Sequence, residues 1–403
     1  MRFRPTVAAF TFLTVLSLAP FAEAADEPPV VQSIFRTWEQ QFQAKPTYRN
    51  LETDSAGNVT IEGVAATISS QDPAQPGTLS VDIGKIQLMG IADQGGGLFE
   101  VASTKYDDLI VIFSGPDGTA FTVRMPESSA EGWYVTTLGP TPTPNEIMRA
   151  SMNVARRMNS GPITIDAAGQ TFTVAGYEST WSGDPATGAG KFDVKISSIA
   201  IPAQAIAMLD PTGELKKLGY NNLSFNMGGT GNLTITGDTM GFDADLYFEG
   251  RDAGTLRAAF AAANVPIAAY AEFASPGANK EPDFNKLMPQ LLGVTVSKLQ
   301  LRFDDGSLTK RLLPILAKQQ NMDEAGFVAS AGAMLQITLA QLKNQAFTDS
   351  VVGAVTSFLK DPKSIALTIQ PPQPIAVQQL MTMNPADPGA AITSLGVTVT
   401  ANE

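Results

Sequence analysis

The sequence predicts an α+β fold in which long, largely antiparallel and twisted β-sheets pack against amphipathic helices. Two observations support this prediction. Short runs of alternating apolar and polar residues recur through the first 200 residues, as expected of strands with one buried face. Apolar residues at helical spacing become frequent after that point, so we expect the helices to be concentrated in the C-terminal half.

The composition excludes several classes of chemistry. The 403 residues include no histidine and no cysteine. A Ser-His-Asp triad, a thiolate nucleophile, a disulfide and a thiolate metal site are therefore absent. The 27 Lys and Arg residues are outnumbered by 39 Asp and Glu residues, which gives a net charge of −12 and argues against nucleic-acid binding. We expect no cofactor.

The N-terminus has the parts of a secretory signal peptide. Arg2 and Arg4 precede an uncharged apolar run over 7–21, and small residues end the segment at Ala24. We expect residues 1–24 to be removed after Ala24, because the run is shorter than the ~20 residues that cross a bilayer. An uncleaved membrane anchor is the alternative. The expected location is the bacterial periplasm or beyond, with no transmembrane anchor left after cleavage.

The expected mature chain divides into a β-rich region, 25–200, and an α+β region, 201–403. In the first region the spacing predicts an initial helix from Val31 to Phe42 and a second at 147–155, after a proline-rich connector at 138–144. Alternating or continuous apolar runs predict the strands, which are 59–64, 79–83, 109–113, 120–124, 170–181 and 192–201.

The second region contains two similar sequence units. A strand at 242–248 leads through an Asp/Gly turn into an Ala-rich stretch that predicts a helix to about Asn264. A strand at 296–303 leads through a similar turn into a predicted helix that includes Leu308 and Leu316. A duplication of 242–264 as 296–318 and two independent turns both remain open.

A long uncharged segment follows. Asp323 is a predicted N-cap, and residues 326–342 contain no charge. Polar residues dilute the segment, so we predict a core helix rather than a membrane helix. Its expected buried stripe consists of Phe327, Met334, Leu335, Leu339 and Leu342. A further helix at 347–359 and strands at 365–369 and 395–400 complete the prediction.

Ser307 and Lys310 form the most specific catalytic motif. The pair matches the Ser-x-x-Lys of penicillin-recognising enzymes, in which a lysine helps to activate a serine without histidine. The Lys-Thr-Gly element of those enzymes is missing from this chain. We therefore predict that Ser307 is a helix cap, and keep the pair as a weak catalytic candidate.

Paired carboxylates offer the other chemistry that needs no histidine. Asp107 and Asp108 form one pair, Asp243 and Asp245 a second, and Asp304 and Asp305 a third, listed here as acid–base candidates. The last two pairs are also weak calcium candidates, although no twelve-residue loop with a closing glutamate follows them. Aromatic residues, which line most sugar clefts, make up only 8% of the chain. Solvated turn or edge positions therefore explain these acids better.

Three short motifs resemble a family of uncharacterised exported proteobacterial proteins. They are Lys-Lys-Leu-Gly-Tyr at 216–220, Asp-Ala-Gly-Thr-Leu at 252–256 and Phe-Leu-Lys-Asp-Pro-Lys-Ser-Ile at 358–365. The resemblance covers mainly residues 195–375. It extends distantly to β-rich envelope proteins of the AsmA kind, and so implies a link to lipid handling. It identifies no functional residue.

These observations favour a soluble, non-catalytic envelope protein that binds an apolar, lipid-like ligand or an envelope protein partner. One alternative is a histidine-independent hydrolase that uses the serine–lysine pair or paired carboxylates. A purely structural or interaction protein is the other.

Overall fold

The computed structural model describes residues 27–42, 44, 46–69, 77–115, 120–274, 284–384 and 386–403. The predicted signal peptide lies outside the described residues, as do residues 116–119 of the turn expected after the strand at 109–113. The predicted fold class is confirmed. The strands belong to one large antiparallel sheet, and the longer helices include those of the C-terminal part.

Strands dominate the first 201 residues. These strands are β1 (Asn50–Thr53), β2 (Val59–Ser69), β3 (Thr78–Gly95), β4 (Leu98–Ser114), β5 (Ala120–Thr136), β6 (Ala155–Ser160), β7 (Ile163–Ala167), β8 (Gln170–Val174), β9 (Gly176–Gly183) and β10 (Gly190–Ile201). Two helices lie among them, α1 (Pro29–Phe42) and α2 (Pro144–Met152). The single strand predicted at 170–181 is two strands, separated at Ala175.

The later elements are mixed. The strands are β11 (Leu223–Thr236), β12 (Thr239–Gly250), β13 (Gly254–Pro266), β14 (Thr295–Asp305), β15 (Ser364–Ile369), β16 (Ile375–Ala376) and β17 (Val397–Ala401). The helices are α3 (Ala203–Leu209), α4 (Glu214–Lys217), α5 (Ile267–Ala274), α6 (Phe284–Leu291), α7 (Leu308–Gln319), α8 (Glu324–Leu339), α9 (Gln345–Lys360), α10 (Val377–Met381) and α11 (Pro388–Ser394). One 3-10 turn, Ala340–Leu342, follows α8.

The chain forms two compact units. The first unit comprises the described residues up to Ser197 together with Leu233–Met240 and the described part of Pro266–Gln290. The second unit comprises Ser198–Asn232, Gly241–Val265 and Leu291–Glu403. Each unit is therefore assembled from segments that are separate in the sequence.

The first unit is built on four long neighbouring strands, β2 to β5, which pair in sequence order and antiparallel. Alternate residues of these strands point to one face and are buried there, among them Ile61, Leu88 and Val101. Helix α1 buries its own apolar stripe, which includes Phe35 and Trp38. Period-two alternation in the strands and helical spacing in α1 thus produce the two sides of a core.

The proline-rich connector ends where α2 begins. Thr143 caps this helix through the backbone N–H of Glu146, and the Glu146 side chain accepts a hydrogen bond from the Thr143 N–H in return. Pro144 occupies the first helical turn, where no backbone donor is needed. The predicted helix is present but begins and ends three residues earlier than expected, and Ala155 belongs to strand β6. Proline and the capping box both fix this earlier start.

The second unit contains four consecutively paired antiparallel strands, β13, β14, β15 and β17. The short β16 pairs with the opposite end of β14 from Thr295 to Val296. Helix α9 packs against β15 and β17, and helix α8 packs against α9. The predicted strand at 365–369 and helix at 347–359 are confirmed.

The Ala-rich helix predicted up to Asn264 is wrong, because Gly254–Pro266 forms strand β13. Residues of β13 pair with β14 from Gly254 to Ala263, and these backbone hydrogen bonds outweigh the helical preference of alanine. The first of the two similar sequence segments, 242–264, is therefore a strand, a turn and a second strand. The second, from β14 into α7, is strand–turn–helix, so the structures of the two do not repeat.

The prediction of a core helix at 326–342 is confirmed only in part. Of its expected buried stripe, Phe327, Leu335, Leu339 and Leu342 are half-buried, whereas Met334 is exposed. Asp323 caps α8 as expected, but only Val328 and Gly332 of the helix are buried. Met334, expected in the buried stripe, is 69% exposed, and Ile337 is 74% exposed. Glu324–Leu342 is the one stretch among the described helices that is long and apolar enough to cross a membrane, and almost none of it is buried. Helical spacing shows which residues share a side, but it does not show which side meets a neighbour.

Candidate functional site: an apolar sheet face

The strongest candidate site is one face of the sheet in the second unit. Directly paired residues on antiparallel strands point to the same face, so the strand register defines which side chains lie side by side. On this face, three rows of four residues run across β13, β14, β15 and β17. The rows are Leu256–Phe303–Ile365–Ala401, Ala258–Leu301–Leu367–Val399 and Phe260–Leu299–Ile369–Val397. All twelve positions are apolar, and we call this set the apolar face.

Large side chains of the apolar face are in contact with solvent. Leu299 and Leu301 are each 48% exposed, and Leu256 and Leu367 are each 42% exposed. Single exposed leucines are ordinary on protein surfaces, but a contiguous apolar patch usually marks a binding site. The grouping of four such leucines on three adjacent strands is therefore the informative feature.

Aromatic contacts extend the apolar face to the preceding strands. Phe260 of the face meets Phe242 of β12 edge to face, with 5.5 Å between ring centroids. On the same strand Phe248 stacks on Phe225 of β11 at 4.9 Å. Phe248 and its neighbour Leu246 are both more than a third exposed. The alternation of β12 thus continues the apolar surface beyond the twelve paired positions.

The opposite face of the same four strands is polar. The intervening rows are Arg257–Arg302–Ala366–Thr400 and Ala259–Gln300–Thr368–Thr398. On this side Arg302 donates a hydrogen bond from Nε to Asp304 Oδ1 over 2.8 Å, which raises the pKa of the guanidinium. In these five rows the arginines are thus all on the side opposite the apolar face.

Helix α9 closes one end of the apolar face. Phe358 is buried and meets Phe303 edge to face, with 6.3 Å between centroids. At the same end of the sheet, the Asn402 amide donates to the Ser357 carbonyl oxygen over 3.2 Å. The leucines in the middle of the face are not covered in this way, which explains why their exposure is high.

The Ser307 side chain does not have the helix-capping role predicted for it. Ser307 stands at the N-cap position of α7, but its hydroxyl makes no capping hydrogen bond. It donates instead to the Asp252 carbonyl oxygen and lies 3.2 Å from the Tyr220 hydroxyl. The N-terminal donor of Thr309 is satisfied by Asp305 Oδ1 at 2.7 Å. Ser307 therefore joins two loops of the second unit.

Lys310 lies one helical turn beyond Ser307 and is exposed. The hydrogen bond from Lys363 lowers the pKa of the Asp361 carboxyl, and the charge of Lys310 adds a smaller effect. The Ser307 hydroxyl already has a backbone acceptor, the Asp252 carbonyl oxygen. This arrangement does not provide the serine–lysine contact on which such catalysis depends.

The paired carboxylates either make contacts that stabilise the fold or are exposed to solvent. Asp304 forms ion pairs with Arg302 at 2.7 Å and Arg257 at 3.5 Å. Asp305, its neighbour in the strand, points to the other side and caps α7. Asp243 and Asp245 share one side of β12 and are exposed. Within the described residues, no group of three or more acidic side chains could hold a metal ion.

Asp107 and Asp108 mark an irregularity in β4. Asp108 has a φ of 57°, and the pairing of β4 passes over it on both sides. Its neighbour across the β3 pairing is Gly84, where an added Cβ would lie 3.0 Å from the Asp108 Cβ. A side chain at position 84 would therefore be tightly packed against Asp108, so the aspartate pair has a local structural role.

The C-terminal part of the chain is similar to one family of proteins. A model of a family of uncharacterized proteins matches residues 247–402. A comparison with curated proteins found no match to the chain. The matched range includes all four strands of the apolar face, so the candidate site lies within the segment that this family shares.

Sequence reasoning did not single out the leucines of the apolar face. The alternation in 296–303 and 365–369 is visible in the sequence, and each run alone predicts one apolar side. A search for such runs placed side by side would have found the face. It requires the strand order, since β14 and β15 are separated by three helices in the chain.

Proposed function

We propose that this chain is a non-catalytic binding protein, and that its apolar face holds the acyl chain of a lipid-like ligand. One observation supports this most directly: all twelve paired positions of the face are apolar, and four of its leucines are 42–48% exposed. Covering these side chains with another apolar group is favourable by roughly 25 cal/mol per Å² removed from water.

The chemistry of the face favours an acyl chain over a folded protein partner. Protein interfaces contain about one hydrogen bond per 100–200 Å² as well as apolar contacts. The apolar face offers no polar side chain, because the threonines, glutamine and arginines of these strands are on the opposite side. The strand backbones are already paired with one another. An acyl chain has no polar group to satisfy and suits such a surface.

The remaining parts of the proposal rest on the sequence. The expected signal peptide would deliver the chain to the periplasm, where lipids must cross an aqueous space. The lack of histidine and cysteine, and the hydrogen bond of Ser307 to Asp252, favour binding rather than catalysis.

A fluorescent fatty acid tests this proposal. We expect cis-parinaric acid to bind the purified chain with a rise in fluorescence. The double substitution Leu301→Gln with Leu367→Gln places two amides in the central row, and should weaken binding at least about tenfold because each amide must lose its water.

Thr398→Gln provides the matched control. It adds an amide to neighbouring strand β17, but on the opposite face of the sheet. We expect its affinity for cis-parinaric acid to equal that of the unchanged chain. Equal affinity in the double leucine variant, with its circular dichroism spectrum preserved, would contradict the proposal. Native mass spectrometry of the purified chain should also show a bound lipid, and loss of that lipid in the leucine variant.

A further inference from the structure

We propose that helix α8 docks the second unit onto a lipid bilayer by lying in the membrane surface. This docking site is separate from the apolar face and does not depend on the ligand proposed for that face. Three features of the helix lead to it: its neutrality, the exposure of its large apolar side chains, and its position against α9.

The helix is neutral over an unusual length. No charged residue occurs from Gly326 to Leu342, in an overall acidic chain. Every exposed side chain in that range is apolar, small, or an uncharged amide or hydroxyl. A protein partner usually relies on charged groups around an apolar centre for orientation and specificity. A bilayer surface requires no such match, and accepts amides and hydroxyls at the level of its headgroups.

Two large apolar side chains project from this neutral surface. Met334 and Ile337 are 69% and 74% exposed, and they are three residues apart, so they lie on adjacent parts of the helix. In water, both apolar side chains are exposed to solvent, which is unfavourable. Insertion below the headgroups would remove both from water at once.

The packing of α8 indicates that it lies along the membrane surface and does not cross the bilayer. Its Val328 and Gly332 are buried, and a Cβ at Gly332 would be 3.2 Å from Thr356 Oγ1 of α9. This close contact holds α8 along α9. Crossing the bilayer would break the contact and draw α9, which contains Asp349 and Lys360, toward the hydrocarbon.

Helix α9 connects this surface with the apolar face. Thr356 faces α8, whereas Phe358, two residues later, contacts Phe303 of the apolar face. Residues two apart on a helix point in nearly opposite directions. Helix α9 therefore lies between α8 and the end of the apolar face, within the second unit. A protein docked through α8 would hold the apolar face one helix away from the membrane.

The neighbouring charges determine which lipids should suffice. Asp323 and Glu324 precede the neutral segment, Lys343 follows it, and Asp349 accepts a hydrogen bond from Gln336 of α8. Three of these four groups are acidic, so anionic headgroups would not be attracted to this part of the protein. Docking should depend on apolar insertion and should therefore resist salt.

Flotation with vesicles of dioleoylphosphatidylcholine tests the proposal on the purified full chain. We expect the chain to float with the vesicles, and to do so equally at about 0.1 M and about 0.5 M sodium chloride, since screening weakens only charge-driven binding. Met334→Gln combined with Ile337→Gln should reduce the bound fraction about tenfold or more. Met381→Gln is the matched control, because Met381 is 63% exposed in the same unit but belongs to α10.

A second measurement reports the position of the helix directly. Ile337→Trp should show a blue shift of its fluorescence with vesicles and quenching by brominated lipids, and Met381→Trp should show neither. Failure of the unchanged chain to float, or equal flotation of the α8 double variant, would overturn the proposal. So would a dimer in analytical ultracentrifugation that the double variant abolishes, because the occupant of α8 would then be a second copy of the chain.

These outcomes are independent of the acyl-chain proposal. Binding of cis-parinaric acid by the α8 double variant should match that of the unchanged chain. Loss of flotation with retained fatty-acid binding supports the docking role. Loss of fatty-acid binding together with flotation would mean that α8 belongs to the ligand site, and would also overturn the proposal as stated.

Discussion

Leu301 and Leu367 are direct partners on antiparallel strands β14 and β15, yet each remains close to half exposed. Cross-strand leucine pairs in a folded protein are normally covered by a second layer. Here α9 packs against β15 and β17 and meets Phe303 through Phe358, yet Leu301 and Leu367 stay exposed. The central row is therefore available to a ligand.

The stability of the second unit should depend little on this leucine pair. Leu301→Thr and Leu367→Thr should each change the free energy of unfolding by less than about 1 kcal/mol, because threonine suits an exposed strand position. Leu313→Ala is the control, since Leu313 of α7 is 7% exposed. It should cost about 2–5 kcal/mol through the cavity that it leaves. Urea unfolding measures all three, and a large loss at Leu301 would show that the face is packed.

Ser307 should be unreactive. Its hydroxyl donates to the Asp252 carbonyl oxygen and lies 3.2 Å from the Tyr220 hydroxyl. We expect a fluorophosphonate probe to leave Ser307 unlabelled in the folded chain, as judged by peptide mass spectrometry. Labelling that is lost in both Ser307→Ala and Lys310→Ala would instead favour the serine–lysine hydrolase.

Removing the buried partner of Trp133 should destabilise the first unit. Trp133 Nε1 donates to Asn153 Oδ1 over 2.6 Å, and both residues are buried. Asn153 also ends α2 with a φ of 45°, which asparagine tolerates better than most residues. Asn153→Ala should cost about 2–3 kcal/mol in thermal or urea unfolding, from the unpaired indole and the backbone strain together.

Asn153→Gly separates the two contributions. Glycine accepts the backbone conformation without strain but cannot accept the indole hydrogen bond. Its cost should be about 1–2 kcal/mol, which lies below that of alanine. A glycine variant as damaged as the alanine variant would show that the conformation contributes nothing.

The first unit should lose stability in alkali through Tyr106. Burial raises the pKa of this tyrosine, so its neutral form is favoured in the folded chain. The corresponding stability is complete below the unfolded pKa of about 10, and is lost as the pH rises through the folded pKa. The melting temperature should therefore fall more steeply above about pH 10 than in Tyr106→Phe, which cannot ionise.

Burial also raises the pKa of Tyr177, so some dependence should remain in Tyr106→Phe. Identical profiles for the unchanged chain and Tyr106→Phe would show that Tyr106 ionises without unfolding.

Signals that act within a few residues of one another were sufficient to predict secondary structure from the sequence. The Asp323 cap and the alternation of β14 both lie within short segments, and the structure contains both. The same reasoning failed at Gly254–Pro266, where alanine content indicates a helix. Ten residues of this segment pair with β14, and a pairing partner is not a property of the segment itself.

The sequence by itself determined the α+β class, the Asp323 cap, and the exclusion of histidine and cysteine chemistry. Only the tertiary structure decided that Leu256, Leu301 and Leu367 lie on one surface, and that Met334 and Ile337 face away from the core. Periodicity defines the two sides of a strand or the stripe of a helix. Burial depends on which neighbour covers that side, and this is set by contacts between residues that are far apart in the chain.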